Sequence, residues 1–144
     1  MYALRSLLAA CLLLVFTSAH AQSKLGELLD KGAKKLSKDD FAALLPATLI
    51  YTWPDKQGEG ELLFKADGTV SGTEYHKASR SSSTAVGTWN VDDNGKWCIK
   101  KYMATWNRNT DTCWYSFVMD GAYFGATSDT DRNVVVVPSG TFKK

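Results

Sequence analysis

The sequence predicts a mainly β fold: an eight-stranded antiparallel up-and-down meander closing as a small barrel, with one or two short helices ahead of it. Three observations predict it. After Pro46, apolar and polar residues alternate in eight runs, at about 47–54, 59–65, 69–76, 84–91, 96–104, 112–119, 122–127 and 133–137. Asp67-Gly68, Asn94-Gly95 and Asp120-Gly121 punctuate these runs as tight turns. Short strands in simple chain order also leave two open edges unless the first and last pair, which a closed barrel achieves. A two-sheet β-sandwich is the alternative. Eight strands give an interior that side chains fill or that holds one small ligand.

The N-terminus is expected to be removed. Arg5, the apolar run from Ser6 to Phe16, and Ala19-His20-Ala21 before Gln22 form a secretory signal peptide over residues 1–21, cleaved after Ala21. The apolar run is shorter than the roughly 20 residues a membrane-spanning helix needs. A rival is a lipid-anchored protein modified on Cys11, within Leu8-Ala9-Ala10-Cys11; against it, Leu12 to Phe16 carry the apolar run past the cysteine. The expected location is therefore the periplasm or the exterior.

Residues 22–46 form the N-terminal helical segment, and 47–144 the antiparallel β domain. Leu25, Leu28, Leu29 and Leu36 recur at helical spacing, although Gly26 and Gly32 weaken that helix by about 1 kcal/mol each. Ser37 reads as an N-cap with Asp40 three residues on, in a capping-box pattern. Phe41, Leu44 and Leu45 form the stripe of a short second helix that Pro46 ends. A helix ahead of the sheet suits a plug for one open end.

Loop length sets which side chains share a face. In "AVGTWNVDDNGKWC" (85–98), a two-residue Asn94-Gly95 turn would set Val91 opposite Cys98, whereas a three-residue loop Asp93-Asn94-Gly95, preferred because it buries both tryptophans on one side, gives Gly95 the left-handed position. It sets Val91 opposite Trp97 and Trp89 opposite Ile99, one coherent apolar face, with Thr88, Asn90, Lys96, Cys98 and Lys100 on the other. By the same logic Phe64 faces Val70 across Ala66-Asp67-Gly68, and Phe117 faces Phe124 across Asp120-Gly121. "ASRSSS" (78–83) and "TWNRNTD" (105–111) read as polar loops.

Loss of the leader removes Cys11 and His20, leaving Cys98, Cys113 and His76. Two cysteines in an exported domain are most simply a disulfide, and they stand symmetrically about Thr105-Trp106 for pairing across neighbouring strands. Of the 17 Lys and Arg, Arg5 goes with the leader, so 16 face 15 Asp and Glu. Such balance gives no long-range field to gather a polyanion, which argues against nucleic acid.

At "LFKADGTVSG", then "GTWNVDDNGKWC" and a second cysteine, the chain resembles the exported bacterial family catalogued as domain of unknown function 995. The likeness covers roughly Ser37 to Phe124. It implies a short leading helix, a strand ending in a D-G turn, and G-T-W before a cysteine-bearing strand. It supplies no catalytic residues. Gly87-Thr88-Trp89 is also similar to the G-x-W of lipocalins and the G-T-W of avidin-like barrels, although there the motif lies on the first strand and here it follows three others. Only a lipocalin-like (calycin-like) barrel architecture is implied.

Candidate chemistry is sparse. His76 is the one mature histidine, with Glu74 on the same strand face as a general-base partner, but a surface histidine where a strand runs into a polar loop explains it fully and is the preferred reading. No nucleophile elbow, cysteine–histidine pair or phosphate loop occurs. Asp39-Asp40, Asp92-Asp93 and Asp129/Asp131 sit where Asp is favoured for local hydrogen bonding. "DTDRN" (129–133) resembles the start of a calcium loop, but Val134 replaces the glycine and no glutamate closes it. No metal or cofactor is implied. The candidate binding residues are Trp106, Arg108, Asn107, Tyr102 and His76, with Trp106 either exposed or packed over the disulfide; Tyr51, Trp53 and Tyr75 are also left unexplained by the core pairs.

The expected function is a non-enzymatic, exported binding domain of the bacterial envelope. It would be a monomer, taking a small apolar or aromatic ligand or an envelope protein. The alternative is a periplasmic inhibitor or immunity-type factor that blocks a hydrolase by inserting "ASRSSS" or "TWNRNTD".

Overall fold

A computed structural model describes residues 23–144; the expected signal peptide and Cys11 lie outside the described residues. The order is α1 (Leu25–Asp30), β1 (Lys34–Lys35), α2 (Lys38–Leu44), then β2 (Ala47–Thr52), β3 (Gly58–Phe64), β4 (Thr69–His76), β5 (Ser81–Val91), β6 (Lys96–Met103), β7 (Arg108–Met119), β8 (Ala122–Ala126) and β9 (Val137–Lys143). Strands β2 to β9 pair antiparallel in chain order, and β9 returns to β2 to close an eight-stranded barrel with β1 as one extra strand.

The predicted registers are those observed. Val91 faces Trp97 and Trp89 faces Ile99; Phe64 faces Val70; Phe117 faces Phe124. Gly95 takes φ 79°, and a Cβ there would run into the Leu36 carbonyl oxygen, so the turn requires glycine twice over. Cys98 and Cys113 are directly opposite on β6 and β7 and form the disulfide.

Helix α2 forms as its sequence dictates: Ser37 Oγ accepts from the Asp40 N–H, and Asp40 accepts from the Ser37 N–H and hydroxyl. Those bonds, backbone first, hold the Asp40 carboxyl below the usual carboxylate range. The helix buries Phe41 against Trp97, ring centroids 5.0 Å apart, within a core that includes Leu49, Leu62, Phe64, Val70 and Val91. One end of the barrel is thereby plugged, as expected.

Helix α1 does something else. It is only six residues long and lies on the outside of the barrel, where Leu25 and Leu28 pack on Phe117, Ala126 and Val136. The helical spacing of Leu36 with Leu25 is not used. After Gly32 (φ 91°) the chain instead extends into β1, which pairs with β7 at Val118 and Phe117, just past the point where β6 begins.

Three further readings are corrected. The run expected as a strand at 133–137 is not one: Val134 and Val136 serve the outer cluster, and the closing strand is 137–143. A β-branched run suits a strand locally, but here α1 takes its apolar face and the pairing with β2 goes to the residues that follow. "ASRSSS" is not a loop beyond its first three residues, because Ser81 to Ser83 belong to β5. "TWNRNTD" likewise contracts, with Arg108 to Asp111 inside β7.

Candidate functional site

The turns after β2, β4 and β6 lie at the end of the barrel opposite α2. Strand alternation sends Tyr51 and Trp53 inward from the β2 side, Glu74 and His76 from β4, and Lys101 and Met103 from β6. Glycines make room for the rings. A Cβ at Gly58 would strike the Trp53 indole and one at Gly60 the Tyr51 ring, so both rings lie flat on β3.

In the middle of the lumen, Lys101 reaches from β6 to the opposite wall. Its ammonium donates to Glu74 Oε1 and, at 3.0 Å, to Tyr51 Oη, which in turn donates to Glu74 Oε1 at 2.6 Å. The Lys101 Nζ also lies 5.5 Å from the centroid of the Tyr51 ring, in cation–π range. Glu74 is 2% exposed. Burial first, then the Glu74 charge, push the Tyr51 phenol far above the usual tyrosine range. Tyr51 is therefore a fixed hydrogen-bond donor and not a base.

Above this cluster the mouth is aromatic. Trp53 stacks on His76 with centroids 5.6 Å apart, and Trp106 sets its edge to Trp53 at 6.0 Å and to His76 at 6.3 Å. A serine chain ties the rings to the turn: Trp106 Nε1 donates to Ser81 Oγ at 2.9 Å, Ser81 Oγ meets Ser79 Oγ at 2.8 Å, and Ser79 Oγ lies 2.8 Å from His76 Nδ1. A cleft of about 1190 Å³ opens alongside, lined by Tyr51, Trp53, Glu74, Val135, Val137 and Pro138 among others. It lies where β9 has left β2: β9 pairs with β2 only through Thr48 to Ile50.

The structure brings four of the sequence-read site residues together as two separate pairs, His76 with Trp106 at the mouth and Tyr102 with Asn107. Trp106 is neither a free surface ring nor a cover for the disulfide; its packing partners are Trp53 and His76. Tyr102 and Asn107 bond to each other, Oη to Oδ1 at 3.1 Å, with Tyr102 directed outward in register with Val86. Arg108 starts β7 opposite Met103, at the mouth and exposed. His76 bonds Ser79 and leaves Glu74 to Lys101, so the strand-face pair does not form a general-base dyad. Asp129 is paired with Lys35 at 2.7 Å and Asp131 accepts the Asn133 N–H, so both are committed within the calcium-like segment.

Sequence reasoning left Tyr51 and Trp53 without a role and passed over Lys101. A signal was present: the register that places Trp97 and Ile99 inside also places Lys101 inside, and the alternation that buries Val70 buries Glu74. Two opposite charges at inward positions predict each other.

The family model described as Protein of unknown function (DUF995) matches residues 10–129, most of the chain and more than the Ser37–Phe124 stretch that carried the resemblance. The chain belongs to that family. No curated protein and no solved structure matches it.

Proposed function

Starting from membership of a family without an assigned activity, we propose that this chain is an exported, non-enzymatic binding domain of the bacterial envelope. It takes a small aromatic or apolar ligand at the open mouth of the barrel. One observation carries the reading: three turns distant in sequence deliver Trp53, His76 and Trp106 to one end, while α2 plugs the other. Rings with faces near solvent supply much contact area at little entropic cost, the usual make-up of a ligand site.

The lumen beneath is not the proposed site, because Lys101, Glu74 and Tyr51 bridge it and Phe64, Leu62 and Trp97 fill what lies below. The ligand instead rests on the aromatic layer and extends into the cleft beside Trp53. The non-enzymatic part is supported by Glu74 and Tyr51 being committed to Lys101. The inhibitor alternative takes less support, since both candidate inserting segments are absorbed into hairpins rather than protruding.

The test is native mass spectrometry of the freshly purified protein, followed by tryptophan-fluorescence titration of any co-purified molecule. A bound small molecule that is lost in a Trp106→Ala variant of unchanged melting temperature is the expected result. A ligand retained by that variant, or one stoichiometric protein partner in its place, overturns the reading.

A further inference from the structure

The charges around the aromatic mouth are one-sided. On the turns after β2, β4 and β6, together with the first residue of β7, the charged residues are Asp55, Lys56, Lys77, Arg80 and Arg108. All four cations are exposed, and among the described residues none forms an ion pair. Asp55, the lone carboxylate of the group, is turned to its own backbone and accepts the Gln57 N–H at 2.9 Å.

The neighbouring acids do not answer these cations. Glu74 is neutralised inside by Lys101. Glu59 and Glu61, on the outer face of β3, line the cleft together with Lys56 and Lys77 and form no ion pair with them, and Arg80 and Arg108 do not line it. The remaining connection at this end, residues 127–136, is held elsewhere, with Asp129 on Lys35 and Arg132 on Asp30. Exposed cations without an ion pair occur elsewhere too, among them Lys31, Lys65 and Lys143; what sets the mouth apart is that its turns carry four cations with a single carboxylate. A nearly neutral chain thus concentrates unpaired positive charge on the rim of its aromatic mouth.

We infer that the ligand of this mouth is a small organic anion with an aromatic body. Its ring packs on Trp53 and Trp106, and its acidic group is met by Lys77, Arg80 and Arg108. This rests on the mouth being the binding site, as proposed above. Desolvation beside indole rings strengthens such a charge contact relative to open water, and guanidinium groups suit a carboxylate or sulfonate because they bind it in two-point fashion. The steering is short-ranged and salt-sensitive.

Three probes of matched shape test it on the full chain: 2-naphthoate, its neutral isostere 2-naphthamide, and naphthalene-2-methylamine as the cation. Calorimetry and tryptophan quenching are compared at low and high salt. The 2-naphthoate is expected to bind about tenfold or more tighter than the amide at an ionic strength of about 0.01 M, an advantage that shrinks severalfold at about 1 M as the Debye length falls. Lys77→Gln/Arg80→Asn/Arg108→Gln should erase the same advantage, so that 2-naphthoate binds that variant no tighter than 2-naphthamide does. Asparagine is chosen at position 80 because Arg80 has φ 49°, a conformation asparagine tolerates. Equal binding of all three probes, sensitive to Trp106→Ala, overturns the anion class and leaves the mouth as the site. No quenching by any of them, or quenching indifferent to Trp106→Ala, overturns both.

Discussion

Replacing Lys101 by methionine keeps an unbranched side chain of similar length and deletes its charge, leaving Glu74 in the lumen with Tyr51 as its remaining partner. The side chains of Glu74 and Lys101 are 3% and 12% exposed. At a separation of about 3 Å and an effective dielectric constant of about 20, two unit charges attract by about 5.5 kcal/mol. Desolvation costs several kcal/mol per ion, so the intact pair contributes close to nothing, whereas removing one partner strands the other. Lys101→Met is expected to cost about 3–5 kcal/mol, a fall in melting temperature of roughly 12–20 °C for a domain of about 120 residues. Adding Glu74→Gln removes the stranded charge and keeps an acceptor for Tyr51, and should recover at least about half of the loss.

Urea denaturation at pH 8, on the parent, the single and the double variant, measures both effects. A Lys101→Met cost under about 1 kcal/mol at pH 8, or a double variant no more stable than the single, would refute the buried, lumen-crossing pair.

Three other outcomes are expected. Reduction of the Cys98–Cys113 bridge, which spans 15 positions of sequence, should cost about 3 kcal/mol by the chain-entropy model, read as a fall in melting temperature on adding a phosphine reductant. Phe41→Ala should cost about 3–5 kcal/mol, since the ring is 1% exposed and plugs the barrel against Trp97; a loss under about 1 kcal/mol would mean α2 is not the plug. Because the Tyr51 phenol is held far above its ordinary range, mainly by burial, its contribution is complete below about pH 10 and lost as pH climbs past that value. Alkaline denaturation should accordingly be shallower in Tyr51→Phe than in the parent, and identical profiles would count against the burial.

Local patterns carried a large share of this molecule. Period-two alternation marks the hairpins, and D-G and N-G turns set the registers that place Phe64 on Val70, Val91 on Trp97 and Cys98 on Cys113. The Ser37–Asp40 cap was equally legible, because all its bonds close within four residues. Each of these is decided by neighbours in sequence, through backbone sterics and loop length.

What the chain does with the valine run at 134–137, or with an inward lysine, is settled at a distance. Val134 and Val136 have the branching of a strand, yet they cover α1, and barrel closure passes to residues 137–143, where Gly140 (φ 98°) lies against Ile50. Lys101 and Glu74 are 27 positions apart and meet only because closure brings opposite walls within one side chain's reach. The aromatic mouth is likewise assembled from three turns that no sequence window contains together. Alternation tells which side of a strand a residue takes; which groups then share the interior depends on the curvature and closure of the whole sheet.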